Sequence, residues 1–487
     1  MSPVKFLRFL LVAWGATSCA PGAPPIVLND IHSRLNRTTV AEYHEPSTKA
    51  EIIALIKRAG ESGRSISISG GRHSMGGQQF GEGTIHINLS KYNRVLNLDE
   101  ERGLVTVESG AQWPGVVEWL RDRQKGNPRP WGIRQKQTGA DKISVGGSLS
   151  SNAHGRGLTL KPIVGDVESF ELIDAKGKLV KCDRKENAEL FGLAIGGYGL
   201  FGVISEVTLR LAPRRKLERK VEIVRIDNLS AMVAQRVREG FLYGDFQFKT
   251  DDRDPEFLEV GVFSCYRPAP EDAEIRFDRK ELSAAQWENL YKYAHLDKSR
   301  AFKEYSEHYL QTDGQIYWSD EHQMSGYIEG KDEAIDKALN ARAPGSLMIT
   351  ELYVPRAQLN QFFRIAAHRL RDLKANLIYG TVRFIQKEDD TFLAWAKAPY
   401  ACVVMNLRVT HDKEGYETAA RQFQDLIDAA LSFGGSYFLT YHRFARREQV
   451  LKAYPQFPAF LEYKKEFDPD ERFQSDWYRH YKKMFKE

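Results

Sequence analysis

His73 stands in the most chemically loaded stretch of the chain, Ile66-Ser-Ile-Ser-Gly-Gly-Arg-His-Ser-Met-Gly-Gly-Gln-Gln-Phe80. Ile66 and Ile68 alternate with Ser65, Ser67 and Ser69, which is the period of a half-buried strand. The strand runs into Gly70-Gly71, and Gly76-Gly77 follow. Glycines there permit positive φ and a close approach of backbone to ligand. A concave run of amides with Arg72 beside it is an anion site, to which His73, Ser74 and Gln78 add further hydrogen-bonding groups. Taken alone, the loop reads first as a glycine-rich turn carrying an exposed histidine, and two other stretches weigh against that.

The first runs from Gln137 to Gly157 and contains Ser144-Val-Gly-Gly-Ser-Leu-Ser-Ser-Asn-Ala-His-Gly155. It is dense in glycine and hydroxyls, as backbone laid along a polyanionic, hydroxylated ligand would be, and unlike a packed helix or strand. The second is Leu190 to Leu211, with Gly196-Gly-Tyr-Gly-Leu-Phe-Gly-Val-Ile204 inside it. Gly197, Gly199 and Gly202 fit G-x-G-x-x-G, but a dinucleotide fingerprint must follow a strand and open a helix. Here Asn187 to Ile195 reads as helix and Val203 to Leu211 as strand. The order is inverted, and a Rossmann fold is rejected.

In this order and at these spacings, the three stretches resemble the flavin-binding half of the vanillyl-alcohol oxidase / p-cresol methylhydroxylase superfamily. The resemblance covers about residues 40 to 215 and is nearest to aldonolactone and alditol oxidases, with a cytokinin-dehydrogenase-like flavin loop. It implies an α+β fold: a two-subdomain PCMH-type FAD-binding domain (36–215), an antiparallel-sheet substrate-capping domain (216–440) and a C-terminal segment (441–487) returning to the FAD domain. It implies FAD as cofactor, surrounded by Gly70, Gly71, Arg72, His73, Ser74, Gly77, Gln78, Thr138, Gly139, Ser144, Gly147, Ser148, Ser151, Asn152, Gly155 and Ile204. His73 aligns with the histidine that carries FAD covalently in many relatives, although Arg72 replaces the usual preceding glycine. Arg383 matches the arginine of a Glu-x-Arg motif whose glutamate is Thr381 here; otherwise it is a strand arginine paired with a neighbouring acid.

His442, or failing it Tyr441, is the candidate base for a substrate hydroxyl; His442 is equally a satisfied histidine at a domain seam. His154 reads as a structural residue of the cofactor loop. The implied reaction is oxidation of a C–OH group of a sugar-, polyol- or lactone-like small molecule by hydride transfer to flavin N5, with O2 or an electron carrier as second partner. The alternative is a non-catalytic flavin-fold lipoprotein acting as a binding or assembly module, which the loss of the glutamate at Thr381 favours.

Composition fits this reading and excludes others. At 487 residues two domains are the default. The net charge of +5 is spread along the chain, without the basic block and interleaved aromatics of a nucleic-acid binder. Lys5 and Arg8, the apolar run from Phe9, and Thr17-Ser18-Cys19 describe an export signal, with Cys19 in an imperfect lipoprotein box and 1–25 as signal and tether. Cys182, Cys265 and Cys402 have no metal or C-x-x-C spacing and read as buried small hydrophobes, with no metal site expected.

The elements that must position these residues follow from periodicity. Ser47 is an N-cap for a helix with Ile52, Ile53, Leu55 and Ile56 on its apolar face. Thr84 to Leu89 and Leu104 to Gly110 are strands, and Trp113 to Arg123 is a helix. Ile163 to Leu172 and Leu179 to Cys182 form a hairpin around Asp174-Ala-Lys-Gly177. Further on, Val221 to Ile226, Leu258 to Cys265, Thr350 to Pro355, Tyr379 to Ile385 and Tyr400 to Leu407 are strands, with Arg267 to Pro270 a loop. Glu281 to Tyr293, Ala301 to Leu310 and Gln358 to Leu373 are helices, the first two with solvated faces.

Overall fold

The computed structural model describes residues 24–325 and 330–486. The export signal read over the first twenty residues, Cys19 and most of the tether lie outside the described residues. Among the described residues no helix is long and apolar enough to cross a membrane.

Strand Ile66–Ser69 belongs to a three-stranded parallel sheet with Ile85–Asn88 in the middle and Glu42–His44 beyond it. The crossover between Glu42–His44 and Ile66–Ser69 is the helix Lys49–Glu61, which buries Ile52, Leu55, Ile56 and Ala59 on the sheet. Its N-cap is Thr48, whose hydroxyl accepts from Glu51 N, and not Ser47 as the sequence suggested. Ser47 donates instead to the Glu51 carboxylate with its N–H, so the two residues split a capping box between them.

A five-stranded antiparallel sheet follows, in the order Leu179–Asp183, Val167–Ile173, Val203–Arg210, Leu104–Glu108, Val95–Asp99. The hairpin around Asp174–Gly177 and the helix Trp113–Arg123 stand as expected, while Ile163–Asp166 is a 3-10 turn ahead of the strand. Helix Ala188–Ala194 precedes Gly197 and strand Val203–Arg210 follows Gly202, the inversion that excluded a dinucleotide fingerprint. The glycine-rich stretch after Gln137 does contain a helix, Val145–Ser150, capped by the Ser144 hydroxyl on Gly147 N.

The third sheet has eight antiparallel strands, ordered Ile316–Trp318, Lys216–Arg225, Val260–Pro268, Tyr243–Phe248, Leu377–Ile385, Tyr400–Thr410, Gly345–Pro355, Ser436–Tyr437. Arg267 and Pro268 continue a strand, paired with Glu218 and Leu217, rather than forming a loop. With one small parallel sheet and two larger antiparallel ones between helices, the fold is α+β.

One face of this sheet is apolar: Phe248 packs edge-on to Phe363 of helix Leu359–Asp372, and helix Lys413–Ser432 covers the far strands. The other face is polar. Register puts Thr381 opposite Gln247, Arg383 opposite Cys402, and Glu351 and Thr381 both opposite Val404. Directly paired residues in a sheet share a face, so Gln247, Thr381, Arg383, Cys402 and Glu351 all point the same way.

Two chain ends close the first half. Strand Ile26–Leu28 pairs with Thr38–Val40, so the fold begins ahead of residue 36. At the other end, Asp468 accepts from Arg472 N and Phe473 N at 2.8 Å each. This turn aims the Arg472 guanidinium at the Ala59 and Arg64 carbonyls and pairs Phe473 with Ile66 at the edge of the parallel sheet. All three described cysteines are free and buried.

Candidate functional site

The three glycine-rich stretches converge on one cleft. It holds about 990 Å³ of space not filled by protein, open solvent included. Gly70, Gly71, Arg72, His73, Ser74 and Gln78 line it on one side, Ser144, Gly147 and Ser151 on a second, and Tyr198, Ile204 and Tyr441 on the others. The cleft is continuous from His73 to Ile204 and to Ala153 beside Asn152.

Backbone shape makes this cleft. Arg72, Asn152 and Tyr198, all bordering it, have φ of 56°, 47° and 55°. A left-handed conformation costs a non-glycine residue about 1–2 kcal/mol, and such strain gathers at functional sites. Arg72 therefore occupies a backbone position suited to glycine. Gly71 is required for a different reason: a Cβ there would lie 2.2 Å from the Lys142 carbonyl oxygen. It lets the His73 loop press against the loop before Ser144.

His73 Nδ1 lies 2.8 Å from His32 Nε2, while His73 Nε2 is buried and has no hydrogen-bond partner. The Lys142 carbonyl is nearby, without hydrogen-bonding geometry. Burial and the neighbouring His32 lower the His73 pKa to about 3, and burial lowers that of His32 to about 4. Both rings are neutral at ordinary pH and share one proton across their contact. When His73 Nδ1 carries it, Nε2 keeps a free lone pair. His32 was not visible as a partner in the sequence; its only signal is the polar cluster Asn29, Asp30, Ser33 and Asn36, which Asp30 ties together.

Several of the residues assigned to the cofactor do not line the cleft. Ser148 turns inward, accepting from Trp113 Nε1 and donating to the Ser144 carbonyl. Asn152 is a brace: its amide donates to Glu388, its oxygen accepts from Val164 N, and its carbonyl accepts from Trp395 Nε1. Gly155 hangs on Gln135, Gly139 donates to Ser325, and Gly77 packs by Asn36 and Arg443. Thr138 contributes its carbonyl to Arg383, leaving its buried hydroxyl unpartnered. These positions shape the lining rather than form it.

Of the three candidate catalytic residues, Tyr441 alone lines the cleft. Burial, and next the Glu351 carboxylate, push its phenol pKa upward, so it is a protonated donor in the resting state. Arg383 stands behind the wall, 6% exposed, bonded once to the Thr138 carbonyl, with Nε and Nη1 buried and unpartnered. The strand-acid pairing considered for it is absent among the described residues. His442 is displaced from the role of base. Its ring packs against Phe423, Tyr437 and Phe444, Nδ1 accepts from Phe444 N, Nε2 contacts Thr350, and burial lowers its pKa to about 3.

Sequence reasoning also missed Glu351 and Lys136. Glu351 is fully buried, its Oε1 2.6 Å from His154 Nε2 and its Oε2 without a partner. His154 Nδ1 faces the Gly155 carbonyl at 3.0 Å and must donate there. A proton therefore lies between Nε2 and Oε1, and the buried pair carries it as a unit. Cys402 joins them within 4.8 Å, a trio from three distant segments with none of the sequence spacing of a metal site. Lys136 is fully buried against Asp141, and burial lowers its pKa to about 8.

The residues present fit a flavin nucleotide. Around this cleft the structure leaves His73 Nε2, Ser109 Oγ and Gln137 Oε1 without partners. Buried polar atoms are normally satisfied, so these three suit a polar ligand in the cleft.

Comparison with known proteins agrees. Residues 41–183 match the family model described as an FAD binding domain. The chain is similar to the mitochondrial L-galactono-1,4-lactone dehydrogenase of Arabidopsis thaliana, 30% identical over 205 residues, 41% of this chain and 32% of the relative. It is similar to the L-gulonolactone oxidase of Mus musculus, 29% identical over 173 residues, 35% of this chain and 37% of the relative. It is likewise similar to cytokinin dehydrogenase 2 of Arabidopsis thaliana, 30% identical over 200 residues, 39% of this chain and 38% of the relative. The matched stretches thus span about a third to two fifths of these relatives' length.

Proposed function

We propose that the chain is an FAD-dependent oxidoreductase that oxidises a CH–OH group of a sugar-, polyol- or lactone-like small molecule, with O2 or an electron carrier as second partner. The observation that carries this reading is the pattern of unpartnered buried atoms, His73 Nε2 on the cleft and the Arg383 guanidinium beyond its inner wall. In this reading Gly70, Gly71, Arg72, Ser74, Gln78, Ser144, Gly147, Ser151 and Ile204 hold FAD directly. Gly77, Thr138, Gly139, Ser148, Asn152 and Gly155 support them, and His73 Nε2 is the point of covalent attachment. The isoalloxazine, when bound, supplies the two-electron acceptor.

The chain's own residues then orient substrate and move its proton. Arg383 directs two free N–H groups at developing negative charge. Tyr441 hydrogen-bonds the reacting oxygen, and Glu351 Oε2, the oxygen left free by the pair with His154, is the proton acceptor behind it. The proposed division is a two-subdomain FAD-binding domain over 36–215, a capping domain over 216–440 and a returning segment over 441–487. Export, with Cys19 as the lipid attachment point, belongs to this reading on the sequence pattern alone.

The rival reading, a non-catalytic flavin-fold binding module, is favoured by Thr381, whose buried hydroxyl has no partner where a carboxylate was expected. Glu351 weakens it, since its carboxylate shares the Val404 row with Thr381. Anaerobic mixing of the flavin-loaded protein with a panel of aldonolactones, polyols and aromatic alcohols separates the two. Bleaching of the flavin bands by one of them is expected; no bleaching by any would leave the binding module.

A further inference from the structure

The polar face of the eight-stranded sheet carries a second buried cation that the site described so far does not use. Arg219, on strand Lys216–Arg225, is 8% exposed. Register passes its face to Tyr266 and then Tyr243, on the strand whose Gln247 faces Thr381. Arg219 and Arg383 therefore project from the same face, three strands and two residues apart, about 16 Å at about 4.8 Å per strand and about 3.3 Å per residue. Arg219 donates from Nη2 to Ser264 Oγ at 3.0 Å; its Nε is buried and unpartnered, and it forms no ion pair among the described residues. The cation Arg156, by contrast, has Asp245 at 3.7 Å. An unpaired buried charge is costly, and the Tyr309 and Tyr266 rings at 4.4 and 5.5 Å offset only part of that cost.

What covers Arg219 does not seal it. Helix Lys298–Leu310 carries Phe302, Tyr305 and Tyr309 on one side, and Tyr309 lies over the Arg219 guanidinium. A helix pressed onto a sheet buries such a stripe, yet no residue of this helix is buried. On the sheet side, Tyr379 keeps 40% of its surface accessible although desolvation raises its phenol pKa. Helix and sheet meet here in a contact that leaves side chains of both partly accessible. The tyrosine rings suit the C–H faces of a sugar, and Gln247 Oε1 is a buried acceptor still without a donor.

We propose that Arg219 binds an oxyanion, carboxylate or phosphate, on the end of the substrate remote from the reacting carbon, so that the preferred substrate is an acidic sugar derivative spanning from Arg219 to Arg383. This rests on the proposed oxidoreductase reading and specifies its substrate. The test is calorimetric titration of the flavin-loaded full chain with galactose, galacturonate and galactose 6-phosphate. Galacturonate or the phosphate is expected to bind at least tenfold more tightly than galactose, the better of the two naming the anion. Arg219→Met is expected to abolish that preference without lowering galactose affinity, and Arg219→Lys to restore part of it. Equal affinity for the three sugars, or an anion preference unchanged in Arg219→Met, would overturn the proposal and mark Arg219 as a packing cation. Bleaching of the same preparation by neutral polyols or lactones reports separately on the oxidoreductase reading, so either can fail alone.

Discussion

The loop-built cleft and the polar face of the eight-stranded sheet reach the same region by opposite means. The cleft is made by backbone: glycines, three left-handed non-glycine residues and neutral, partnered histidines. The sheet face is made by side chains that are charged, buried and in part unpaired. Backbone shape is fixed locally by short motifs, whereas a side-chain cluster on a sheet exists only once the register is set. One half of the site therefore depends chiefly on backbone shape, and the other on the pairing of buried polar side chains.

Substitutions at four positions press on that contrast, from the largest effect to the smallest. Glu351→Ala removes the carboxylate from the buried pair with His154 and is expected to cost about 3–5 kcal/mol by urea unfolding. Glu351→Gln, which keeps the shape, should cost clearly less. Gly71→Ala drives a Cβ into the Lys142 carbonyl and is expected to cost on the order of 1–3 kcal/mol. It should also release FAD, read as flavin content after gel filtration.

His442→Phe acts through pH. Its folded pKa of about 3 lies below the ordinary histidine value of 6.5, so the unfolded chain binds the extra proton. That contribution is fully present above pH 6.5 and is lost as pH falls toward 3. The phenylalanine variant should lose stability less steeply than wild type between about pH 6.5 and 4, with flavin retention unchanged; a parallel pH profile would count against a neutral buried His442. Arg72→Gly relieves a left-handed residue and should raise stability by up to ~1 kcal/mol while weakening FAD retention, because a cation leaves the cleft. A gain in both would remove Arg72 from the cofactor's surroundings.

The same contrast explains what could be read in the sequence. The helix Trp113–Arg123 and the hairpin over Val167–Asp183 were legible because their signals are local: an apolar stripe and a turn. The three glycine stretches announced the cleft for the same reason. Local rules erred by a residue at Thr48, where Ser47 offered the same chemistry, and at Arg267–Pro268, where an edge pairing overrode a proline-rich look. His32 meets His73 across 41 residues, and Glu351 meets His154 across 197. No period or spacing encodes such pairs. His442 looked chemical beside Tyr441, but alternation along its segment sends one side chain to the cleft and the other into an aromatic cage.

The central claim is that separate turns of the chain jointly hold one flavin. It is tested most directly by the visible absorbance of the full-length protein, purified after expression with FAD available and then dialysed. The structure predicts flavin bands in stoichiometric amount, surviving acid precipitation in wild type and lost from the pellet in His73→Ala; a protein without flavin absorbance after that treatment would contradict it.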